Sequence, residues 1–188
     1  RQRQMCIRDR IYYSTQKVGP SNTASQLGIF ALGSGLPTSG SPASTQIINT
    51  GSVVPADFSF NSAMTICYIA IPLNTAAGGI QKWTKSGSVW SLAYTLGTGV
   101  SSIGAYGLTV DYSGTNPVLY ATTFEANTVG NRVIKITDSG SGSTATTLAT
   151  NAANNWYHGI AFAPCSAPVI SSVTNNGPIC SDATLNLS

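Results

Sequence analysis

The sequence of 188 residues repeats itself through its middle with a period of about 52 residues. Four short apolar runs return in the same order, and each is bounded by Gly, Ser, Asn or Thr. The matching runs are 66–70 with 118–121, 79–84 with 132–137, 96 with 148, and 107–110 with 159–162. A repeat of this length that contains four strand-sized runs predicts a chain built from successive four-stranded units.

The repeat predicts where the strands lie. We expect strands near 56–60, 66–71, 79–84 and 90–96 in one unit, and near 106–112, 118–123, 132–137 and 144–149 in the next. A last strand near 157–163 repeats the first position of the unit. Residues 12–50 match most of an earlier and more divergent unit, since Gly28 precedes Gly79 by 51 positions.

The fold class that follows is all-β: an incomplete β-propeller of about two and a half four-stranded blades, formed by residues 11–165. Closed propellers typically have about 4–8 blades. Each repeat buries its faces against its neighbours, so we expect an arc of blades to leave two apolar faces open. A β-sandwich also has short strands and frequent turns, but it gives no reason for the order of four strands to recur.

The first ten residues differ in composition from the rest, since four of the five arginines lie there. Residues 1–10 resemble the translation of an adapter used in DNA sequencing libraries, which implies a non-native segment. The alternative is a basic N-terminal arm that binds nucleic acid or membrane. Without residues 1–10, Lys plus Arg falls from 9 to 5 and Asp plus Glu from 6 to 5, so the net charge falls from +3 to 0. We therefore expect no nucleic-acid binding.

The end of the chain changes in composition after Pro164. Residues 166–188 resemble a linker followed by the truncated start of an Ig-like or PKD-like domain, on the runs 178–182 and 185–187. This resemblance implies that Cys180 pairs with a cysteine further along than residue 188, while a pair with Cys165 stays open because spacing alone does not establish connectivity. We expect Cys67, which lies in a strand-like run, to be a buried small hydrophobe.

The composition favours a secreted or cell-surface protein. Only 8% of residues are charged, against about 25% in average globular chains, and hydroxyl and amide side chains take their place. No apolar run approaches the ~20 residues of a transmembrane helix, so we expect no transmembrane segment. Residues 56–164 resemble propeller repeats of exported, Bacteroidetes-type multidomain surface proteins, on the runs 78–84, 90–96, 107–111, 119–123 and 159–164. This resemblance implies an extracellular or cell-surface location.

The acidic residues offer little catalytic chemistry. Outside residues 1–10 they are Asp57, Asp111, Glu125, Asp138 and Asp182. A glycosidase needs two carboxylates across a sugar, and Asp111 and Glu125 are the pair that could approach each other. Turn chemistry explains Asp111 and Asp138 better, since each precedes a Ser- and Gly-rich loop. We expect no catalytic residue, no cofactor and no metal site, because the chain has one histidine and no CxxC or D-x-D-x-D spacing.

Aromatic side chains are the best candidates for binding. Trp83 and Tyr120 match apolar or aromatic positions of the other repeat, which predicts a place in the core. Trp90 and Trp156 lie near loop edges, so we predict that they are exposed and stack on a neutral glycan. His158 beside Trp156 could act as a base or as part of an aromatic patch, but the other copy of the repeat has no histidine there, so we expect it to be dispensable.

Two functions follow. The first is a non-catalytic extracellular module, a propeller that serves as a scaffold or ligand-binding platform for glycans or other surface proteins. The alternative is a fragment of a secreted propeller-type enzyme that degrades polysaccharide and carries its catalytic residues on missing blades. The absence of convergent titratable groups favours the first.

Overall fold

The computed structural model describes residues 10–15, 27–125 and 129–163, and these residues form strands, turns and loops without a helix. The eleven strands are β1 (Ile11–Ser14), β2 (Gly28–Leu32), β3 (Ser44–Asn49), β4 (Asp57–Phe60), β5 (Ile66–Ile71), β6 (Gly79–Ser86), β7 (Val89–Leu96), β8 (Gly104–Asp111), β9 (Val118–Phe124), β10 (Arg132–Thr137) and β11 (Ala145–Thr150). The predictions for residues 1–10 and 166–188 fall, apart from Arg10, outside the described residues.

The strands form three separate antiparallel sheets, and none closes into a barrel. Sheet A has the order β1-β2-β3, sheet B has β4-β5-β6-β7, and sheet C has β8-β9-β10-β11. In each sheet, neighbours in sequence are neighbours in space. The predicted four-strand order is therefore confirmed for residues 57–96 and 104–150, and sheet A contains counterparts of the second, third and fourth strands.

The predicted strand at 157–163 is wrong, because these residues form no strand. In sheets B and C the first strand is held by the second strand that follows it in sequence, β4 by β5 and β8 by β9. Residues 157–163 pair with no described strand. The segment instead lies against sheet C, where the Thr122 hydroxyl donates a hydrogen bond of 2.9 Å to the His158 carbonyl.

Sheet B is the middle layer, and β5 shows this most clearly. Five of its six residues are buried, because side chains on both faces of the strand meet another sheet. The face with Cys67 and Ile69 packs toward sheet A, and the opposite face with Tyr68 and Ala70 packs toward sheet C. Cys67 is a buried free thiol, as predicted.

Two apolar clusters join the layers. The cluster between sheets A and B contains Ile29, Ile48, Cys67, Ile69, Ile71 and Trp83. The cluster between sheets B and C contains Tyr68, Ala70, Ile80, Leu96, Ala105, Leu108, Val110, Leu119, Ala121, Ile134 and Ile136. The predicted core position of Trp83 is confirmed, since only 9% of its surface is exposed.

The match of Leu96 with Leu148 is wrong by one residue. Leu96 pairs with Ile80, whereas the equivalent residue Val133 pairs with Ala149, and Leu148 is the extra residue of a β-bulge. Leu96 is fully buried but Leu148 is 52% exposed. A shift of one residue moves a side chain to the opposite face of a strand. Equivalent residues therefore have to be assigned from the strand pairing and not from residue identity.

Two glycines at equivalent places let the third and fourth strands approach closely. A Cβ on Gly28 would lie 1.9 Å from the Ile48 carbonyl oxygen, and one on Gly79 would lie 2.4 Å from that of Leu96. Both glycines have positive φ, 149° and 131°, which side chains other than glycine disfavour. Sheets A and B therefore carry this glycine for a backbone reason, whereas sheet C has Arg132 at the equivalent position.

The two ends of the sheets carry different connections. At the upper rim, as we name it, β4, β6, β8 and β10 begin and β5, β7, β9 and β11 end. The loops that lead from one sheet to the next cross this rim. At the lower rim lie the β6–β7 turn and the residues that follow β8 and β10.

Candidate functional site

Asp138 is the most deeply buried acid that the structure describes, with a side chain 0% exposed. It follows β10 of sheet C and reaches across to sheet B. The Lys82 ammonium donates to its Oδ2 at 2.8 Å and the Tyr94 hydroxyl to its Oδ1 at 2.7 Å. The Tyr68 hydroxyl donates a short hydrogen bond to Oδ2, and the Gly140 N–H donates to Oδ1 at 3.0 Å. We call Asp138 and its three sheet B partners the carboxylate clamp.

The clamp shifts the titration of its members. Burial by itself would raise the pKa of Asp138, but hydrogen bonds from Lys82, Tyr68 and Tyr94 outweigh it and hold the pKa below its usual value. Burial raises the pKa of Tyr68, and the hydrogen bond to Asp138 raises it further. For Lys82, burial works to lower the pKa, yet the bonds to Asp138 and Tyr94 leave it raised. The Asp138 carboxylate is therefore held in its charged form by its partners.

Sequence reasoning identified Asp138 only as a turn residue. That role is present, since its Oδ1 accepts the Gly140 N–H, but the contact with sheet B was missed. The available signal was a lysine at the same place in both strands, Lys82 in β6 and Lys135 in β10. A lysine inside an apolar strand needs a partner when its head group is removed from water.

Glu125 forms a second polar network at the upper rim. Its Oε1 accepts a hydrogen bond of 2.6 Å from Nε of Arg132, and its Oε2 accepts a short hydrogen bond from the Thr123 hydroxyl. Both charged side chains are at most 13% exposed. Arg132 also reaches the Thr98 carbonyl at 3.4 Å, so the network ties sheet C to the loop that enters it.

Asp111 and Glu125 cannot act as a catalytic pair. In the β8–β9 ladder Asp111 pairs with Val118 at one end, whereas Glu125 follows Phe124 at the other end. Asp111 accepts the Ser113 N–H at 2.8 Å, which is the predicted turn role. Hydrogen bonds from the Ser113 side chain and from its N–H lower the pKa of Asp111.

Asp57 serves the junction between sheets B and C. Its Oδ1 accepts the Phe58 N–H and its Oδ2 accepts the Leu108 N–H, both at 2.8 Å. The second bond joins β4 to β8, which are the first strands of neighbouring sheets. Every acid in the described part of the chain thus has a structural partner.

Four aromatic rings form the upper-rim patch: Tyr106, Phe124, Trp156 and His158. Their centroids make a closed circuit, with Tyr106–Phe124 at 6.1 Å, Phe124–Trp156 at 5.3 Å, Trp156–His158 at 5.8 Å and His158–Tyr106 at 5.1 Å. His158 is exposed and the other three rings are half-buried. The structure therefore brings Trp156 and His158 together and adds Tyr106 and Phe124, of which Phe124 could not be singled out from the sequence. The sequence could have placed Tyr106 near this patch, because it occupies the position of His158 in the preceding repeat.

Trp156 carries an unpaired donor. Its indole Nε1 is buried and has no hydrogen-bond partner within the described part of the chain. Buried N–H groups are rarely left without an acceptor. Trp156 thus presents part of its ring at the rim, while its N–H is shielded from solvent.

Trp90 lies elsewhere. It is the second residue of β7, next to the β6–β7 turn at the lower rim, and it packs against Phe60 at 5.6 Å between centroids. The Lys85 ammonium lies 5.9 Å from the centre of its ring. Trp90 is half-buried, so a single ligand cannot engage Trp90 and Trp156 together.

The upper-rim loops are closed by a repeated threonine contact. The Thr50 hydroxyl donates to the Val53 carbonyl and the Thr98 hydroxyl to the Ile103 carbonyl, both at 2.8 Å. Each threonine precedes a glycine of positive φ. In sheet C, the Asn131 side chain instead bonds the backbone of Tyr157: its amide N–H donates to the Tyr157 carbonyl, and its Oδ1 accepts the Tyr157 N–H. These contacts make the rim a fixed surface.

Two site classes find no support among the described residues. No group of three His, Cys, Asp or Glu side chains in residues 10–15, 27–125 and 129–163 could hold a metal ion. The same residues contain no helix long and apolar enough to span a membrane.

Comparison of the chain with models of known protein families gave no match. Searches among curated proteins and among solved structures likewise gave none. The contacts of the chain itself therefore have to indicate what it does.

Proposed function

We propose that the chain is a non-catalytic module of a secreted or cell-surface protein: a propeller-type stack of antiparallel sheets that serves as a scaffold and presents a glycan-binding patch at its upper rim. The observation that carries the proposal is that every carboxylate in the described part of the chain already accepts a hydrogen bond from a structural partner. Hydrolysis of a glycoside requires a proton donor and a second carboxylate that face the sugar.

The arrangement of the sheets supports the scaffold role. Chain order and stacking order coincide, since sheet B lies between sheets A and C and each is a meander. Successive repeats that bury their faces against their neighbours behave as one extended support. The low charge of the chain fits the same role, because few ionic groups are present to attract an ionic ligand.

The upper-rim patch supports the choice of ligand. Aromatic rings provide apolar faces, and a tryptophan adds one N–H donor for a polar partner. A neutral sugar ring has an apolar face, so it matches the aromatic rings of the patch. Of the two predicted tryptophans, Trp156 is the better candidate, because it belongs to a group of four neighbouring rings at one rim.

A glycan array followed by titration of the full chain tests this proposal. We expect binding of a neutral glycan that weakens about tenfold in Trp156→Ala, which corresponds to the ~0.5–1.5 kcal/mol of one aromatic contact. Trp90→Ala is the matched control, since it removes the same side chain at the opposite rim and should bind as the parent does.

Activity assays address the catalytic alternative. Turnover of a polysaccharide by the full chain that disappears in His158→Ala would show an enzyme and overturn the non-catalytic assignment. Equal glycan binding by the parent and Trp156→Ala would remove the upper-rim patch as the site but would leave the scaffold role standing.

A further inference from the structure

The carboxylate clamp rests on one row of side chains across sheet B. In the ladders, Lys82 lies opposite Tyr68 on one neighbouring strand and opposite Tyr94 on the other. All three reach toward sheet C, since Asp138 of that sheet accepts a hydrogen bond from each of them. One row of side chains is therefore enough to hold a carboxylate of the next sheet.

The same row occurs in sheet C. Lys135 lies opposite Tyr120 on β9 and opposite Thr146 on β11, so a tyrosine and a lysine recur and a threonine hydroxyl takes the place of the second tyrosine. The neighbours of Lys135 in β10, Ile134 and Ile136, belong to the cluster shared with sheet B. Successive side chains of a strand point to opposite faces, so this row faces away from sheet B. We call it the outer donor row.

The outer donor row has no acid to bind in the described part of the chain. The ion pairs among the described residues are those of Lys82 with Asp138 and of Arg132 with Glu125, and neither involves Lys135. A groove of about 490 Å³ lies at the row, lined by Lys135, five serine and threonine side chains, a glycine and a leucine. A lining with one ammonium, several hydroxyls and no carboxylate suits a negatively charged group.

The two internal junctions show when such a row contains a lysine. At the junction between sheets A and B, Ala31 occupies the place of Lys82 in its row. The residue of sheet B that takes the place of Asp138, three positions after the strand residue of the row, is Lys85 and not an acid. Lysine and facing carboxylate are thus both present at one junction and both missing at the other. The lysine of the outer donor row therefore predicts a carboxylate on the surface that covers it.

We propose that the outer donor row binds an aspartate carried by the β-hairpin turn of a further four-stranded sheet, in the way that sheet B binds Asp138. The Lys135 ammonium donates to the carboxylate, and the hydroxyls of Tyr120 and Thr146 complete the set of donors. A second copy of this chain is a poor source of the aspartate, because its own Asp138 is fully buried against its own sheet B. This inference rests on the scaffold role proposed above and not on glycan binding.

The β10–β11 turn supplies a probe of matching chemistry. Within the turn, the Gly140 N–H donates to the Asp138 carboxylate at 3.0 Å, and Ile136 pairs with Ala145 at its base. A peptide of residues 136–145 that is cyclised head to tail therefore presents the aspartate on the same turn. It has one carboxylate and no lysine.

Titration of the full chain with this cyclic peptide, followed by NMR of the labelled chain, tests the site. We expect shifts at Lys135 and Thr146. The peptide with Asp138→Asn should bind at least about tenfold more weakly, because charge-assisted hydrogen bonds are lost. Lys135→Met in the chain should weaken binding by a similar factor. Lys85→Met is the matched control, since it removes an exposed lysine outside the groove, and it should bind as the parent does.

Carbodiimide crosslinking reports the contact itself. The reagent activates the peptide carboxylate, and a contacting lysine, once it has lost a proton, displaces the reagent and forms an amide. Mass spectrometry should find the peptide on Lys135 and not on Lys85, although Lys85 is the more exposed of the two.

Several results would overturn the inference: equal binding of the two peptides, binding unchanged by Lys135→Met, or no binding up to the solubility limit of the peptide. Glucuronate that binds at Lys135 where the peptide does not would indicate an acidic sugar site and would overturn it as well. Circular dichroism of each variant establishes folding. Glycan binding is measured separately with Trp156→Ala, so a chain that binds glycan but not the peptide leaves the proposed function standing.

Discussion

The junction between sheets A and B and the junction between sheets B and C join the same kind of sheet by different chemistry. The first is apolar and aromatic, with Trp90 and Phe60 packed at its edge. The second combines an apolar cluster with the carboxylate clamp, in which Asp138 of sheet C holds groups on three positions of sheet B. Side chains at equivalent ladder positions, Ala31 and Lys82, account for much of the difference.

The two kinds of contact have different effects on a pair of sheets: one holds the sheets together, and the other also fixes their relative position. Apolar burial stabilises in proportion to area and has no direction, so it holds two sheets together but tolerates small displacements. A buried carboxylate with several donors requires one arrangement, because each unmade hydrogen bond costs energy. We infer that the clamp fixes how sheet C sits on sheet B, and the following predictions test that division of roles.

The largest effect is expected for Asp138→Ala. It leaves two tyrosine hydroxyls without their acceptor and the Lys82 ammonium without its counter-charge, and breaking a buried pair in this way costs about 3–5 kcal/mol. Urea unfolding followed by fluorescence gives the change in the free energy of unfolding. Asp111→Asn is the control, since it replaces an exposed turn carboxylate by a residue that suits the same turn, and we expect little change.

Ile69→Ala should destabilise the junction between sheets A and B. Ile69 is fully buried, and truncation of a buried isoleucine leaves a cavity that costs about 2–5 kcal/mol. We expect about 3 kcal/mol in the same urea experiment, independent of pH. An equal loss in Ile69→Ala and in the exposed-site variant Leu92→Ala would contradict the assignment of Ile69 to the core.

The pH dependence should distinguish the two junctions. The pKa of Asp138 in the folded protein lies below its ordinary value of 3.8, so ionised Asp138 stabilises the fold above that value. This contribution disappears as the pH falls through the folded-state pKa. Urea unfolding between pH 7 and pH 2 should show a steeper acid loss in the parent than in Asp138→Asn, whereas Ile69→Ala should keep the parent slope; equal slopes in all three would exclude the clamp as the source.

The smallest effects are expected for two hydroxyl contacts, the one from Ser14 to the Ala56 carbonyl and the one from Thr122 to the His158 carbonyl. Thr122→Val removes the bond to His158 and also the acceptor of the Gly107 N–H at 2.8 Å, so we expect a cost of about 1–3 kcal/mol. Ser14→Ala removes only the longer bond to Ala56 and should cost less than about 1 kcal/mol. A larger loss in Ser14→Ala than in Thr122→Val would contradict this order.

The strand content of sheets B and C was predictable because their pattern is local. Apolar runs such as 66–71 and 132–137 recur at a fixed spacing, and period-two alternation gives their faces. The absence of a strand at 157–163 was not predictable from the run itself, since a strand also depends on a partner elsewhere in the chain. Whether the sheets close into a propeller is likewise a property of several units together.

The candidate site was predictable only in part. Trp156 and His158 are neighbours in sequence, and their grouping followed from that. Tyr106 and Phe124 join them because the start of β8 and the end of β9 meet at one rim, which no single stretch of sequence contains. Asp138 was assigned to a turn because its partners Lys82 and Tyr68 lie 56 and 70 residues away.

The connection before β10 shows how repeated units tolerate a change in length. The spacing between equivalent residues is 52 from Ile66 to Val118, but 53 from Ile80 to Val133. The additional residue entered the connection before β10, where no ladder constrains it. Within a strand the same insertion would have exchanged the buried and exposed faces of everything after it. The change in length between these units is thus accommodated in a connection, and an alignment that assumes a constant period misplaces the third and fourth strands.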